Sequence, residues 1–339
     1  MNWSSVKNLL IAILVAANLF LVYNIIRQNR TRGYIPAEEA AGAVELLAER
    51  GLLVDEDVIP LKKIKAEVYE SVYSDEYYTK AAQAMSASPR EMLLALPEGG
   101  FSITAQNGDL AEFDTEFGFR YTKNDKLDSK AYTDITAESF WEMSKSWQSL
   151  SGSRMKPLAK KADAFLNSRA SADSELHTEI KVGYTDPQSG LAYLYAMQFI
   201  GEGEIYSHFA VCVFEGETLI SAHGRWFFDD LQGDYSTEII DQINILFSDL
   251  NELRSDMAVY SAEWDGDVSD GGFSDYERPE NEMKEFSEFP GITDMNLCYI
   301  TYWNADKTTL YFVPAWQIDH TDGVATVYNA INGTTYASK

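Results

Sequence analysis

The sequence predicts an α+β protein: a single N-terminal transmembrane helix, then an ectodomain of two lobes, each an antiparallel sheet with packed helices. Three observations predict it. Asn8 to Ile26 is a run of nineteen residues without a charge, mostly Leu, Ile, Val, Ala and Phe. The stretches Phe101 to Lys123 and Glu179 to Phe228 alternate apolar and polar residues around turn signals, the period of half-buried strands. Ile240, Ile243, Leu246, Phe247 and Leu250 recur at helical spacing, a stripe that must pack on something.

The opening run comes first. Nineteen helical residues reach about 28 Å, the thickness of a bilayer's hydrocarbon core. Val15-Ala16-Ala17 offers a weak cleavage site, yet Leu19, Phe20, Leu21, Val22, Ile25 and Ile26 carry the run past it. The expectation is an uncleaved anchor with its basic connector, residues 1–33. Lys7 on one flank and Arg27, Arg30 and Arg32 on the other leave the orientation open by charge. Ala12 and Ala16 share a helix face at small-xxx-small spacing, and Asn18 lies near mid-span. Both features suit contact with a partner helix, but alanines as filler and a tolerated Asn fit the spacing equally.

A first lobe is expected over 34–155 and a second, richer in strands, over 156–339. Pro36, then Glu38 and Glu39 in a first turn and Gly51 past the end, mark a helix with Val44, Leu47 and Ala48 as its stripe. A strand follows around Ile64 to Ser71, then a helix over Ser74 to Met85. Ser88 with Pro89 opens a short helix stopped by Pro97 and Gly99-Gly100. Asn107-Gly108 predicts a hairpin turn. Ala137 to Leu150 and Pro157 to Asn167 read as helices, with Ser151-Gly152-Ser153 as the linker between lobes.

In the second lobe, strands are expected over Glu179 to Tyr184, Ala192 to Gly201 and Ile205 to Phe228. A turn at Glu215-Gly216 would pair Val211 with Ile220 and Ile205 with Trp226. One apolar face would then hold Ile205, Phe209, Val211, Val213, Ile220, Ala222 and Trp226. Thr237 to Leu253 is the helix of the stripe above. Asp265 to Glu285 reads as a long acidic loop, and strands follow at Leu297 to Trp303, Leu310 to Ile318 and Val324 to Asn329.

Composition narrows the function. The 339 residues are 45% hydrophobic and 13% aromatic, enough for real cores. With 27 Lys and Arg against 53 Asp and Glu, the net charge is -26, a surface that repels nucleic acid. Cys212 and Cys298 form no ligand pattern, and a disulfide or two buried thiols suit them equally. In the expected hairpin register His208 faces His223, with Cys212 on the same face. Two facing imidazoles do not close a metal site, so a plain cross-strand pair is the better reading. The run from Asp265 lacks the glycine and glutamate of a calcium loop, with Asp270 and Tyr276 in their places. No nucleophile elbow, phosphate loop or dinucleotide fingerprint occurs, so the sequence makes no case for an enzyme or a cofactor.

Three stretches together resemble the YycI family of Gram-positive bacteria, anchored accessory proteins of the WalK/WalR two-component system. They are MNWSSVKNLLIAILVAANLFLVYNI, LLAERGLLVDEDVIP and LYFVPAWQIDHTDGVATVYNAINGT. The last is similar to the ending shared by YycH and PepSY-like modules. The resemblance implies a YycH/YycI-like body outside the cell membrane with a PepSY-like C-terminal end. It also implies no catalysis, a YycH-like partner and a WalK-type sensor histidine kinase as target in cell-wall homeostasis. By position, Ala12, Ala16 and Asn18 would make the membrane contacts. Pro314, Trp316, Asn329 and Gly333 are expected to be structural: an edge or bulge, a core anchor and a closing turn. The chain is longer than typical members, with the acidic stretch as an apparent insertion. A different class stays open, an anchored PepSY-like binding module that inhibits a protease or captures a ligand.

Overall fold

The structure is a computed structural model describing residues 34–62, 64, 66–72, 81, 94–95, 100–105, 107–126, 137–167, 174–264 and 289–338. The described residues fold as α+β. In chain order they form α1 (Ala37–Ala48), β1 (Ala66–Val72), β2 (Leu94–Ala95), β3 (Phe101–Thr104), β4 (Leu110–Phe113) and β5 (Gly118–Thr122). Then come α2 (Ala137–Ser144), β6 (Gln148–Ser149), α3 (Gly152–Leu166), β7 (Leu176–Thr185), β8 (Ala192–Ile200), β9 (Gly203–Glu215), β10 (Thr218–Arg225) and β11 (Gln232–Thr237). The last are α4 (Gln242–Trp264), β12 (Ile292–Trp303), β13 (Thr309–His320), β14 (Ala325–Asn329) and β15 (Thr335–Ser338). The expected anchor, most of the Ser74 to Met85 helix and the acidic loop lie outside the described residues.

Two compact units cut across the sequence order. Unit 1 takes Met1–Ala66, Thr237–Asn296 and Trp316–Lys339; unit 2 takes Glu67–Ser236 and Leu297–Ala315. The expected lobe boundary after residue 155 falls inside unit 2. Non-local pairing is the reason: β13 pairs with β1, Tyr69 opposite Phe312, and β12 runs parallel to β9, Cys298 opposite Glu204. Ser151-Gly152-Ser153 is no linker but the start of α3, with Ser151 extended as its N-cap.

In unit 1, α1 ends where Gly51 takes φ +93° and the Leu52 N–H donates to the Leu47 carbonyl at 3.0 Å. Ala40, Ala43 and Leu47 are its buried face. α4 starts at Gln242, five residues later than expected, because the Asp241 carboxylate accepts from the Asn244 N–H at 2.9 Å and caps it there. Ile245, Leu246 and Leu250 are buried apolar residues of this helix, and Ile240 lies outside it.

Unit 2 is built on a sheet ordered β11-β1-β13-β12-β9-β10-β5-β4-β3-β2, with β8, β7 and β6 continuing from β9's other edge. Leu94–Ala95 is strand, paired with Ser102 and Phe101, where the sequence predicts a short helix. Two irregularities then reset the β9–β10 hairpin. Its turn is Gly216-Glu217, so Thr218 pairs with Glu215, and a bulge at Ile220 shifts the register again. On β9, Ser207 at φ +65° lies in a second bulge, between the pairs Phe199–Glu204 and Met197–Phe209. An odd number of extra residues, one at Ile220 and three around Ser207, turns the following side chains to the opposite face.

The expected single apolar face is therefore two. Ile205, Ala222 and Trp226 join Ala210, Cys212 and Phe214 in a core that also holds Leu158, Ala162 and Leu166 of α3. Phe209, Val211, Val213 and Ile220 join Tyr193, Tyr195 and Phe140 of α2 in the other.

Candidate functional site

Ala12, Ala16 and Asn18, the residues expected to meet a partner helix, lie outside the described residues, as does the acidic run with Asp270 and Tyr276. The C-terminal signature is fully placed. Trp316 on β13 is 0% exposed, and its indole N–H donates to the Ile240 carbonyl at 2.9 Å. Asn329 builds the β14–β15 turn: its side-chain oxygen accepts from the Ile331 and Asn332 amides at 2.8 and 3.3 Å. The Asn329 carbonyl accepts from the Gly333 N–H at 2.8 Å, and Gly333 sits at φ +72°. Pro314 lies on β13, which runs between β1 and β12, two residues beyond Phe312, the partner of Tyr69 on β1.

The histidine pair expected on the hairpin does not form. His223 stands opposite Val211 on one side and Arg120 on the other, while His208 is drawn into a different contact. His208 Nδ1 meets Gln198 Oε1 at 3.1 Å, and the same oxygen accepts the Phe227 N–H at 3.0 Å. Gln198 Nε2 returns a bond to the Phe227 carbonyl at 2.7 Å. An oxygen already accepting an amide takes a second donor, so His208 carries its proton on Nδ1. Burial, then the charge of Arg225, lowers its pKa to about 3, and the ring is a neutral pin for the strand end.

Both cysteines are buried thiols outside any disulfide, and burial pushes the Cys212 thiol up to about 12. Among the described residues no group of three or more His, Cys, Asp or Glu is placed to hold a metal ion.

The sequence gives His320 no placed partner; the fold gives it one. Its Nε2 lies 3.4 Å from Asp249 Oδ1, with both side chains 1% exposed. The Tyr328 hydroxyl donates to the same Oδ1 at 2.8 Å. Asp249 is on α4, His320 ends β13 and Tyr328 is on β14. The helical phase of Asp249, one position before the buried Leu250, is the sole sequence signal of this cluster, and it reads as surface in an acidic chain.

Two surface features remain. A cavity of about 410 Å³ between the first turns of α3 and the β9–β10 turn is lined by Ser153, Arg154, Pro157, Leu158, Gly216 and Glu217. Ser153 contacts Ser151 and Glu217 binds Lys161, an arrangement without a base aimed at a nucleophile. On α2, Trp141 is 41% exposed and Met143 36%, the indole lying 5.2 Å from the Tyr195 ring. Beside it Trp147 stacks on Tyr193 at 4.3 Å.

No family model and no curated protein matches this chain. Among solved structures it is similar to an uncharacterized protein from Eubacterium rectale ATCC 33656, at 10% identity over 84% of this chain and 89% of that one, with a TM-score of 0.46. Such a likeness carries no argument about activity.

Proposed function

We propose that the chain is a membrane-anchored accessory regulator of a WalK-type sensor histidine kinase, working beside a YycH-like partner through protein and transmembrane-helix contacts. On this reading the 1–33 segment spans the cell membrane once and the body lies outside it. The observation that carries the proposal is the order of three motifs: the uncharged Asn8 to Ile26 run, the LLAERGLLVDEDVIP entry and the Pro314-x-Trp316 to Gly333 ending. The exposed Trp141 and Met143 add support, because aromatic side chains and Met are enriched at protein contacts.

The test is kinase output in cells carrying Ala12→Leu, Ala16→Leu or Asn18→Leu. Each is expected to change output while the body folds and reaches the membrane, since the helix interface loses close approach or a hydrogen bond. Normal regulation by a body on a wholly unrelated anchor would remove the membrane-contact part. Capture of a protease by the soluble body, with no kinase or YycH-like protein, would favour the binding-module alternative.

A further inference from the structure

A carboxylate as buried as Asp249 needs compensation, because an isolated charge in a protein interior is unstable. Its ion-pair partner is His320, and Tyr328 supplies one neutral hydrogen bond to the same oxygen. Oδ2 of Asp249 has no hydrogen-bond partner among the described residues. Other groups face the imidazole from neighbouring segments: the Pro290 carbonyl and the Asp322 carboxylate, both favouring a charged ring. Asp319, one residue earlier on β13, is bound to Gln317 at 2.8 Å. All of these residues belong to unit 1.

We propose that His320, Asp249 and Tyr328 form a proton-operated latch holding α4 to the β13–β14 hairpin, closed while His320 is an imidazolium. When the ring loses its proton, Asp249 loses its counter-charge, and the helix is held less tightly. Burial by itself would favour the neutral ring. The carboxylate of Asp249, 3.4 Å away, with the Pro290 carbonyl and Asp322, outweighs it and raises the pKa of His320 above its ordinary value. A proton held more tightly in the folded state stabilises fully below about pH 6.5, the unfolded value, and the effect is lost as pH rises through the folded value. The latch is a property of unit 1 and stands whether or not the regulatory reading does. For an anchored body facing the medium, it would make the seating of α4 respond to external pH.

The experiment uses the full chain in detergent micelles. The His320 ring resonance, assigned by its loss in His320→Gln, is expected to titrate with a midpoint above about 6.5. Asp249→Asn should bring that midpoint down, and Tyr328→Phe should leave it above 6.5 while lowering Tm. Amide exchange of α4, corrected for intrinsic rates, should quicken from about pH 6 to about pH 9 in the wild type. His320→Gln should remove that pH dependence. A wild-type midpoint below 6.5, or the same exchange profile in wild type and His320→Gln, would overturn the proposal. Should His320→Gln not fold, the Asp249→Asn shift decides, with the resonance assigned through bonds.

Discussion

Trp316 fills unit 1's core and, through its indole N–H, satisfies the Ile240 carbonyl at the turn into α4. Replacing it with Phe keeps most of the apolar volume but orphans that carbonyl, a loss of about 1–3 kcal/mol. Urea unfolding of Trp316→Phe should show a lower midpoint with an unchanged slope, since the exposed surface barely differs. His208 makes the complementary point about charge. As a neutral pin with a pKa of about 3, it binds a proton far more readily in the unfolded chain. Its contribution is complete above about pH 6.5 and falls as pH drops, by up to about 1.4 kcal/mol per pH unit. Between about pH 6.5 and 5, His208→Gln should flatten the dependence of Tm on pH. An equal slope in both proteins would refute the assignment.

At the scale of elements, the β9–β10 hairpin shows how close contact fixes a residue type. Gly224 on β10 has φ +150°, and a Cβ there would lie 2.0 Å from the Phe209 carbonyl oxygen across the ladder. Since that neighbour is backbone, Gly224→Ala must shift a strand, at on the order of 1–3 kcal/mol for the dihedral alone. Gly152→Ala, at the first position of α3 with open space around it, is the control and should be neutral or slightly stabilising. Thermal unfolding of the two variants side by side checks the contrast. The hairpin also explains where element-level reading fails. Gly216 identifies the turn to within one residue, yet the Ile220 and Ser207 bulges leave no trace in residue type. Each one moves several side chains to the other core.

Across the whole molecule, His208 and His320 act in different units and different pH ranges. His208 in unit 2 weakens the fold on the acid side of about pH 6.5, and His320 in unit 1 weakens it on the alkaline side. Each histidine's effect can be measured where the other is silent.

The sequence by itself determined the α+β class, the Asn107-Gly108 hairpin, the helix from Ala37 to its Gly51 stop, and the core role of Trp316. Each rests on local chemistry: a turn residue's dihedral, a helix end's orphan carbonyls, a large ring's aversion to water. Only the tertiary structure decided the unit boundary, the β9–β10 register and the meeting of Asp249 with His320, seventy-one residues apart. These depend on which strand lies beside which, and strand pairing is set by the sum of many packing contacts between distant segments.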